Sequence, residues 1–393
     1  MSEQVIVAGV GMVPFTKPGA SDPYPVMGAN AARAALKDAG IDYALVEQAC
    51  VGYVYGDSTC GQAALYGVGL TGIPVINVNN NCSTGSTALF LARQAVESGA
   101  VSCALALGFE QMSPGALTEK WADRPTPLSR FFEAMRRVRG WDENIPMAPQ
   151  LFGAAGSEYR EKYGARPETF AEISVKSRRH AAKNPFAMFT KPVTVEEVLA
   201  SPMICDSVTR LQCCPPTCGA AAAVLCSPHF ARRHGVSSRV VIAAQAMTTD
   251  REASFAGSMM DVVGFGMSRE AARKVYEAAG IGPGDIDVAE LHDCFTANEL
   301  ISYEALGLTP DGTAEKFIRD GDNTYGGKVV TNPSGGLLSK GHPLGATGLA
   351  QCAELVWQLR GDAEGRQVDG ARNALQHNIG LGGACVVTLY RVA

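Results

Sequence analysis

Pro74-Val-Ile-Asn-Val78, then Asn79-Asn-Asn-Cys82-Ser-Thr-Gly85-Ser-Thr87-Ala-Leu89, is the stretch that decides the fold. Its first five residues read as a short strand. The three asparagines break it. From Ser83 to Gly99 the residues Ala88, Leu89, Ala92, Ala95 and Val96 recur at helical spacing. A strand that turns directly into a helix belongs to an α/β layer fold. It also leaves Cys82 at the first turn of that helix, where unpaired N–H groups and the helix dipole favour a thiolate. Most cysteines in a chain with 12 of them are buried small thiols. At this junction the nucleophile reading outweighs that one.

Working outward, Gln4–Val10, Cys50–Tyr55 and Ser102–Leu107 read as further strands, and Val26–Ala39 as a helix. From Gln111 to about Gln212 the texture changes to more charge, proline and aromatic residues. Leu151–Tyr163 and Pro167–Ala182 look helical within it. This stretch reads as an insertion or cap that can shape a substrate pocket. The apolar α/β pattern returns near Cys218, with a strand at Val240–Met247. In a second α/β region, Arg269–Ala279, Thr296–Leu306 and Leu344–Leu359 read as helices. Ile286–Leu291, Asn373–His377 and Ala384–Leu389 read as strands. The expected division is residues 1–265, with the insertion at 111–212, and residues 266–393.

A short internal repeat relates the two parts. Cys82-Ser-Thr-Gly-Ser-Thr-Ala-Leu can be laid on His342-Pro-Leu-Gly-Ala-Thr-Gly-Leu, so that Gly85 matches Gly345, Thr87 matches Thr347 and Leu89 matches Leu349. If the halves are equivalent, two helix N-termini present Cys82 and His342 at one shared site. His342 then stands where it can accept the thiol proton; the alternative is a surface histidine capping a loop. Glu290-Leu-His292-Asp-Cys294-Phe follows an apolar strand, and strand ends are where α/β folds assemble sites. His292 can donate to an oxyanion and Cys294 can move a carbon-bound proton; the competing reading is a turn capped by Asp293. His377-Asn378 and the turn with Gly380, Gly382 and Gly383 offer backbone N–H groups for an oxyanion hole.

Other signals are weak. Cys213, Cys214 and Cys218 lack a CxxC pair or a second cluster, so packed thiols are expected and no metal. Gly9-Val-Gly11 lacks the third glycine of a dinucleotide site, and Gly153-Ala-Ala-Gly156 reads as helix packing. No Gly-x-Ser-x-Gly nucleophile motif occurs. The net charge of -5 gives no support for a nucleic-acid partner. No apolar run reaches the roughly 18 residues of a membrane span, so no membrane insertion is expected. Without a secretory leader or a C-terminal Ser-Lys-Leu address, the expected compartment is the cytoplasm, with peroxisomes not excluded.

As a set, these motifs resemble the thiolase domain of sterol carrier protein 2-type thiolases, along nearly the whole chain. Gly52-Tyr-Val-Tyr-Gly-Asp-Ser-Thr-Cys-Gly61, the Cys82 segment and His292-Asp-Cys-Phe295 carry the resemblance. So do Arg319-Asp-Gly-Asp-Asn-Thr-Tyr-Gly-Gly-Lys328 and Asn332-Pro-Ser-Gly-Gly-Leu-Leu-Ser-Lys-Gly-His342-Pro-Leu-Gly-Ala-Thr-Gly348. The resemblance implies a thiolase fold: two similar α/β halves in five α-β-α-β-α layers with an inserted loop domain. It implies a 3-oxoacyl-CoA thiolase, usually a homodimer, with coenzyme A as co-substrate and no permanently bound cofactor. By resemblance Cys82 is the acyl-accepting nucleophile and His342 the histidine that activates it. His292 holds the place of the asparagine in an Asn-Glu-Ala-Phe motif. Asn378 stands where other thiolases have a second cysteine, and Cys294 supplies that thiol instead. Cys218 replaces an aspartate common among relatives. With no sterol-carrier domain following Ala393, lipid transfer is not expected. Two alternatives remain: a retro-aldol lyase on CoA-linked side chains, and a non-catalytic lipid-binding scaffold. A separate lipid-binding or partner subunit is also conceivable.

Overall fold

Apolar runs rich in valine and alanine, buried along both faces, make the central strands of this chain. The computed structural model describes residues 4–113, 121, 123–205 and 208–393; residues 114–120, 122, 206 and 207 of the expected insertion lie outside the described residues. The first half runs β1 (Val5–Met12), α1 (Tyr24–Ala39), β2 (Gln48–Gly52), α2 (Cys60–Tyr66), β3 (Val75–Val78), α3 (Thr84–Glu97) and β4 (Cys103–Glu110). An insertion follows: α4 (Ser129–Val138), α5 (Met147–Tyr163), α6 (Pro167–Ala181), α7 (Val195–Ala200), β5 (Met203–Cys205) and β6 (Val208–Thr209). The chain then returns through β7 (Gly219–Cys226) and α8 (Pro228–His234). Next come β8 (Val240–Thr248), α9 (Met259–Val262), α10 (Phe265–Ala279), β9 (Val288–Glu290), α11 (Thr296–Ala305) and α12 (Ala314–Arg319). β10 (Val330–Thr331), α13 (Thr347–Arg360), β11 (Asn373–Gly380) and β12 (Ala384–Val392) complete it.

The strand order is β10-β9-β11-β12-β8-β1-β7-β4-β2-β3. Read outward from the centre, each side repeats one plan. β1 pairs antiparallel with β7, β7 antiparallel with β4, and β4 and β3 parallel with β2. β8, β12, β11, β9 and β10 repeat those senses in that order. The halves join through a short antiparallel ladder, Val5↔Ile242 and Ile6↔Val241. This equivalence makes β8 the counterpart of β1, so the second half opens at β8, upstream of the expected residue 266.

The layers follow from what each helix touches. α1 covers β1 and β7 on the outside, and α10 covers β8 and β12. α3 and α13 lie against each other and against strands of both halves, forming the central layer. Their approach is close because the repeat places small residues there. A Cβ added to Gly85 would lie 2.7 Å from Gly345 O. The strand-to-helix turn at Asn79–Asn81 is what lifts the start of α3 off the sheet, and Asn81 takes a left-handed φ of 50° to do so. The insertion packs back onto the second half, with α5 and α6 on α11.

Candidate active site

Two helix starts and one strand end meet at a single point. Cys82 precedes α3, His342 precedes α13, and His292 follows β9. The Cys82 thiol and one ring nitrogen of each histidine all lie within 4.8 Å of one another. The two imidazoles stand nearly perpendicular, 82° apart, with centroids separated by 5.2 Å.

The loop that carries Cys82 is tied on every side. Asn80 N–H donates to Thr84 Oγ1 (2.9 Å), and Thr84 Oγ1 donates to Asn81 O (2.6 Å). Asn81 Nδ2 reaches across to Leu381 O (3.0 Å). Gly380 lies so close that a Cβ there would collide with Asn80 O and stand 2.9 Å from Ser83 Oγ. Gly380 thus supports the nucleophile loop by close approach. Gly382 and Gly383 form the positive-φ hairpin turn between β11 and β12. Their nearest neighbours are Leu128 and Asp250 respectively.

His342 is held by its backbone N–H, which donates to Thr217 Oγ1 (3.1 Å), and by Nδ1, 2.7 Å from Thr347 Oγ1. Its Nε2 is buried without a hydrogen-bond partner among the described residues, so it is free to act on Cys82. His292 has Nδ1 2.9 Å from Asn378 Nδ2, and its carbonyl accepts from Asn298 Nδ2. Cys294 is buried, and its carbonyl accepts Cys214 N–H (2.9 Å). Phe295 stacks on Phe152 of α5 at 5.0 Å, so the insertion reaches the edge of this turn.

The electrostatics correct one expectation. The helix start does not by itself yield a resting thiolate. Burial, then the charge of Glu110, pushes the Cys82 thiol up to about 12, against a smaller opposing pull from its own backbone N–H. Burial lowers His342 to about 3, and burial with His342 and His377 nearby holds His292 well below its usual value. Cys294 is pushed well up by burial, then by Cys214, Cys82 and Asp293. At neutral pH the group is therefore uncharged: two thiols and two neutral imidazoles. An uncharged group leaves the buried site free of a permanent ion pair.

Of the supporting groups, Asp293 is legible in the sequence as the cap of its turn, whereas Glu110 carries no signal that singles it out. Glu110 accepts from Val54 N (3.1 Å), Tyr55 N (2.9 Å) and Gly345 N (3.0 Å), joining the loops of both halves behind Cys82. Asp293 accepts from Leu337 N (2.7 Å) and Leu338 N (3.3 Å) and so fixes the turn ahead of His342. Cys214 feels the charge of Cys82 and acts in turn on Cys294. Its only sequence flag was the Cys213–Cys214–Cys218 trio. Cys218 is a packed thiol that accepts Met112 N–H (3.2 Å). All 12 cysteines are free. A cavity of about 840 Å³ lies elsewhere, between Ala279, Asp285, Arg372 and Arg391, and touches none of these groups.

This geometry can be set beside known proteins. The family description "Thiolase, N-terminal domain" matches residues 5–229, and "Thiolase C-terminal domain-like" matches residues 249–389. Sterol carrier protein 2 of Oryctolagus cuniculus is 57% identical over 99% of this chain and 72% of that protein. The acetyl-CoA acetyltransferase of Methanothermobacter thermautotrophicus is 35% identical over 91% of each chain. The solved structure described as "Ltp2-ChsH2(DUF35) aldolase" superposes with a TM-score of 0.83 at 24% identity, covering 100% of this chain and 98% of that one. The chain belongs to the thiolase family, an acyltransferase class, in its sterol carrier protein 2-type branch. No helix among the described residues is long and apolar enough to cross a membrane.

Proposed function

We propose that this chain is a 3-oxoacyl-CoA thiolase that works through an acyl-Cys82 intermediate. The observation that carries this is the convergence of Cys82, His292 and His342 within 4.8 Å, with Cys294 near enough to feel the charge of Cys82. In the degradative direction, Cys82 Sγ attacks the 3-oxo carbon while His342 Nε2 takes its proton. His292 donates to the oxyanion. Collapse breaks the C2–C3 bond, and the electron pair goes to C2 of the departing acetyl-CoA or propanoyl-CoA. Cys294 S–H protonates that carbon. Coenzyme A then gives its thiol proton to the Cys294 thiolate and attacks the acyl-cysteine. Cys82 leaves as a thiolate and recovers its proton from His342. Covalent catalysis splits one difficult step into two.

Coenzyme A enters as co-substrate, consistent with the name of the archaeal relative. The proposed assembly is a homodimer. Its support is the edge strand β3, where Ile76 is 41% exposed near the exposed Tyr66 and Leu70; sedimentation measures the mass directly. The name of the aldolase neighbour couples it with a DUF35 component, which keeps a separate partner subunit open as a proposal. The insertion, through α5 against Phe295, is proposed to shape the acyl pocket. The test is thiolysis of a panel of short, long, 2-methyl-branched and steroid-side-chain 3-oxoacyl-CoA substrates, with Cys82→Ala as control. Turnover lost by at least about a thousandfold in the variant is expected. Near-normal thiolysis by Cys82→Ala would sink the scheme. No turnover on any substrate, from folded protein, would favour the retro-aldol lyase.

A further inference from the structure

Each of the two histidines at the site hangs on a hydrogen-bond chain whose direction is dictated by a backbone carbonyl. A carbonyl oxygen only accepts, so it fixes the orientation of everything bonded upstream of it.

The longer chain begins at Gly348 O. Gln376 Nε2 donates to it (2.6 Å), so the Gln376 amide cannot be reversed. Tyr390 O–H donates to the other end, Gln376 Oε1. The second N–H of Gln376 Nε2 faces Ser86 Oγ (2.8 Å) and the longer contact to Gln351 Oε1 (3.3 Å), and goes to the nearer Ser86. Ser86 has accepted there, and its single hydroxyl proton goes to its remaining partner, Asn378 Oδ1 (2.8 Å). That turns Asn378 Nδ2 toward His292 Nδ1 (2.9 Å). Nδ2 only donates, so His292 Nδ1 holds a lone pair and the ring proton sits on Nε2. Tyr390, Gln376, Ser86 and Asn378 are all fully buried, which shields the chain from competing water. Gln376 and Asn378 are two apart on β11 and so share one face, while Ser86 lies one turn into the helix that Cys82 begins.

The shorter chain ends at Pro343 O, which accepts from Thr347 Oγ1 (3.0 Å). That commits the threonine proton, so His342 Nδ1–H donates to Thr347 Oγ1 (2.7 Å) and His342 Nε2 holds the lone pair.

We infer that Tyr390, Gln376, Ser86 and Asn378 are positioning residues that lock His292 as the Nε2–H tautomer, opposite to His342, so that one imidazole can only donate and the other can only accept. This rests on the thiolase reading for its catalytic meaning, but the tautomer itself does not. Two neutral histidines 5.2 Å apart could otherwise exchange roles, with a base left facing the oxyanion. The chain removes that alternative without placing a charge in the site.

The first test needs no turnover. Long-range proton–nitrogen correlation spectra of the wild-type protein, labelled with nitrogen-15 histidine and assigned with His292→Asn, report which ring nitrogen of His292 carries the proton. Protonation on Nε2 alone is expected; protonation on Nδ1, or on both nitrogens at neutral pH, overturns the inference whether or not the protein is a thiolase. The second test is Asn378→Asp. A carboxylate facing Nδ1 accepts only, so neutral His292 becomes Nδ1–H and loses its donor toward the substrate. Lowering the pH makes His292 doubly protonated and returns the Nε2 proton. The groups facing His292 are His342, His377 and Cys82, with Asp293 and Cys294 in its own turn; the histidines at about 3 and Cys82 at about 12 do not titrate near neutrality. The expected result is a kcat about a hundredfold lower at pH 8, with KM little changed and activity recovering as pH falls. A profile parallel to the wild type's, merely scaled down, contradicts the role. Ser86→Thr, which keeps the hydroxyl, is expected to retain more activity than Ser86→Ala.

Discussion

At the scale of single residues, the chemistry depends on which thiol does what. Three cysteines lie close enough to influence one another: Cys82, Cys214 and Cys294. Burial keeps all three protonated at neutral pH. In the proposed mechanism only Cys294 gives and recovers a carbon-bound proton. Cys294→Ala is therefore expected to lower kcat by about a hundredfold or more, while Cys214→Ala stays within severalfold of wild type. Steady-state thiolysis of both variants checks this, and the reverse ranking would reassign the acid to Cys214. The sequence made Cys82, His292, Cys294 and His342 legible because each sits at a break between apolar periodicity and small residues. It left Cys214, Glu110 and Ser86 unread. Their roles come from bonds to residues 235 or more positions away for Glu110 and Ser86, and no local pattern records such a partner. Cys82 does lie at a helix start, as its periodicity implies, but burial works against the thiolate that the helix start favours. Periodicity shows a helix start, whereas the thiol's proton affinity depends on how much protein from elsewhere surrounds it.

At the scale of elements, the pairing of α3 with α13 is what brings the two halves' residues together. The repeat that aligns Cys82 with His342 foretold this contact, since Gly85, Gly345 and Gly348 are the points where the helices meet. Strand boundaries were legible to within a few residues where apolar runs ended at glycine or asparagine. The start of the second half was not, because β8 carries the same apolar texture as β7 just before it. Only pairing shows that β8 is the counterpart of β1. The end of β11 offers a test of close approach. Gly380→Ala places a methyl group on Asn80 O in the nucleophile loop, and backbone cannot yield as a flexible side chain can. A loss of about 1–3 kcal/mol of stability is expected, together with a fall in kcat as Cys82 shifts. Denaturant unfolding and thiolysis measure the two effects. An unchanged kcat would show that the loop absorbs the methyl without moving the thiol.

At the scale of the whole molecule, the same burial that keeps the site uncharged ties stability to pH. His180, His342 and His377 are lowered to about 3, and His292 is held well below its usual value, each chiefly by burial. The sign follows from linkage. Between about pH 6.5, where an unfolded histidine takes up a proton, and the folded values near 3, the unfolded chain binds protons that the folded chain refuses. The stabilisation is present above that window and is lost as pH falls through it. Buried Glu290 and Asp293 are raised, and partly buried Asp250 and Asp261 follow. These carboxyls act in the opposite sense from their unfolded values near 4 up to their raised folded values, but the two fully buried ones are outnumbered by the four buried histidines. The histidines should therefore dominate between pH 6.5 and 5.5. Unfolding free energy is expected to drop across that interval by about 1.4 kcal/mol per pH unit for every net proton taken up. Urea titrations at half-unit steps give the slope. A flat or rising stability toward pH 5.5 would mean that at least some of these histidines are already charged in the folded protein, and a charged His342 could not be the base of the proposed mechanism.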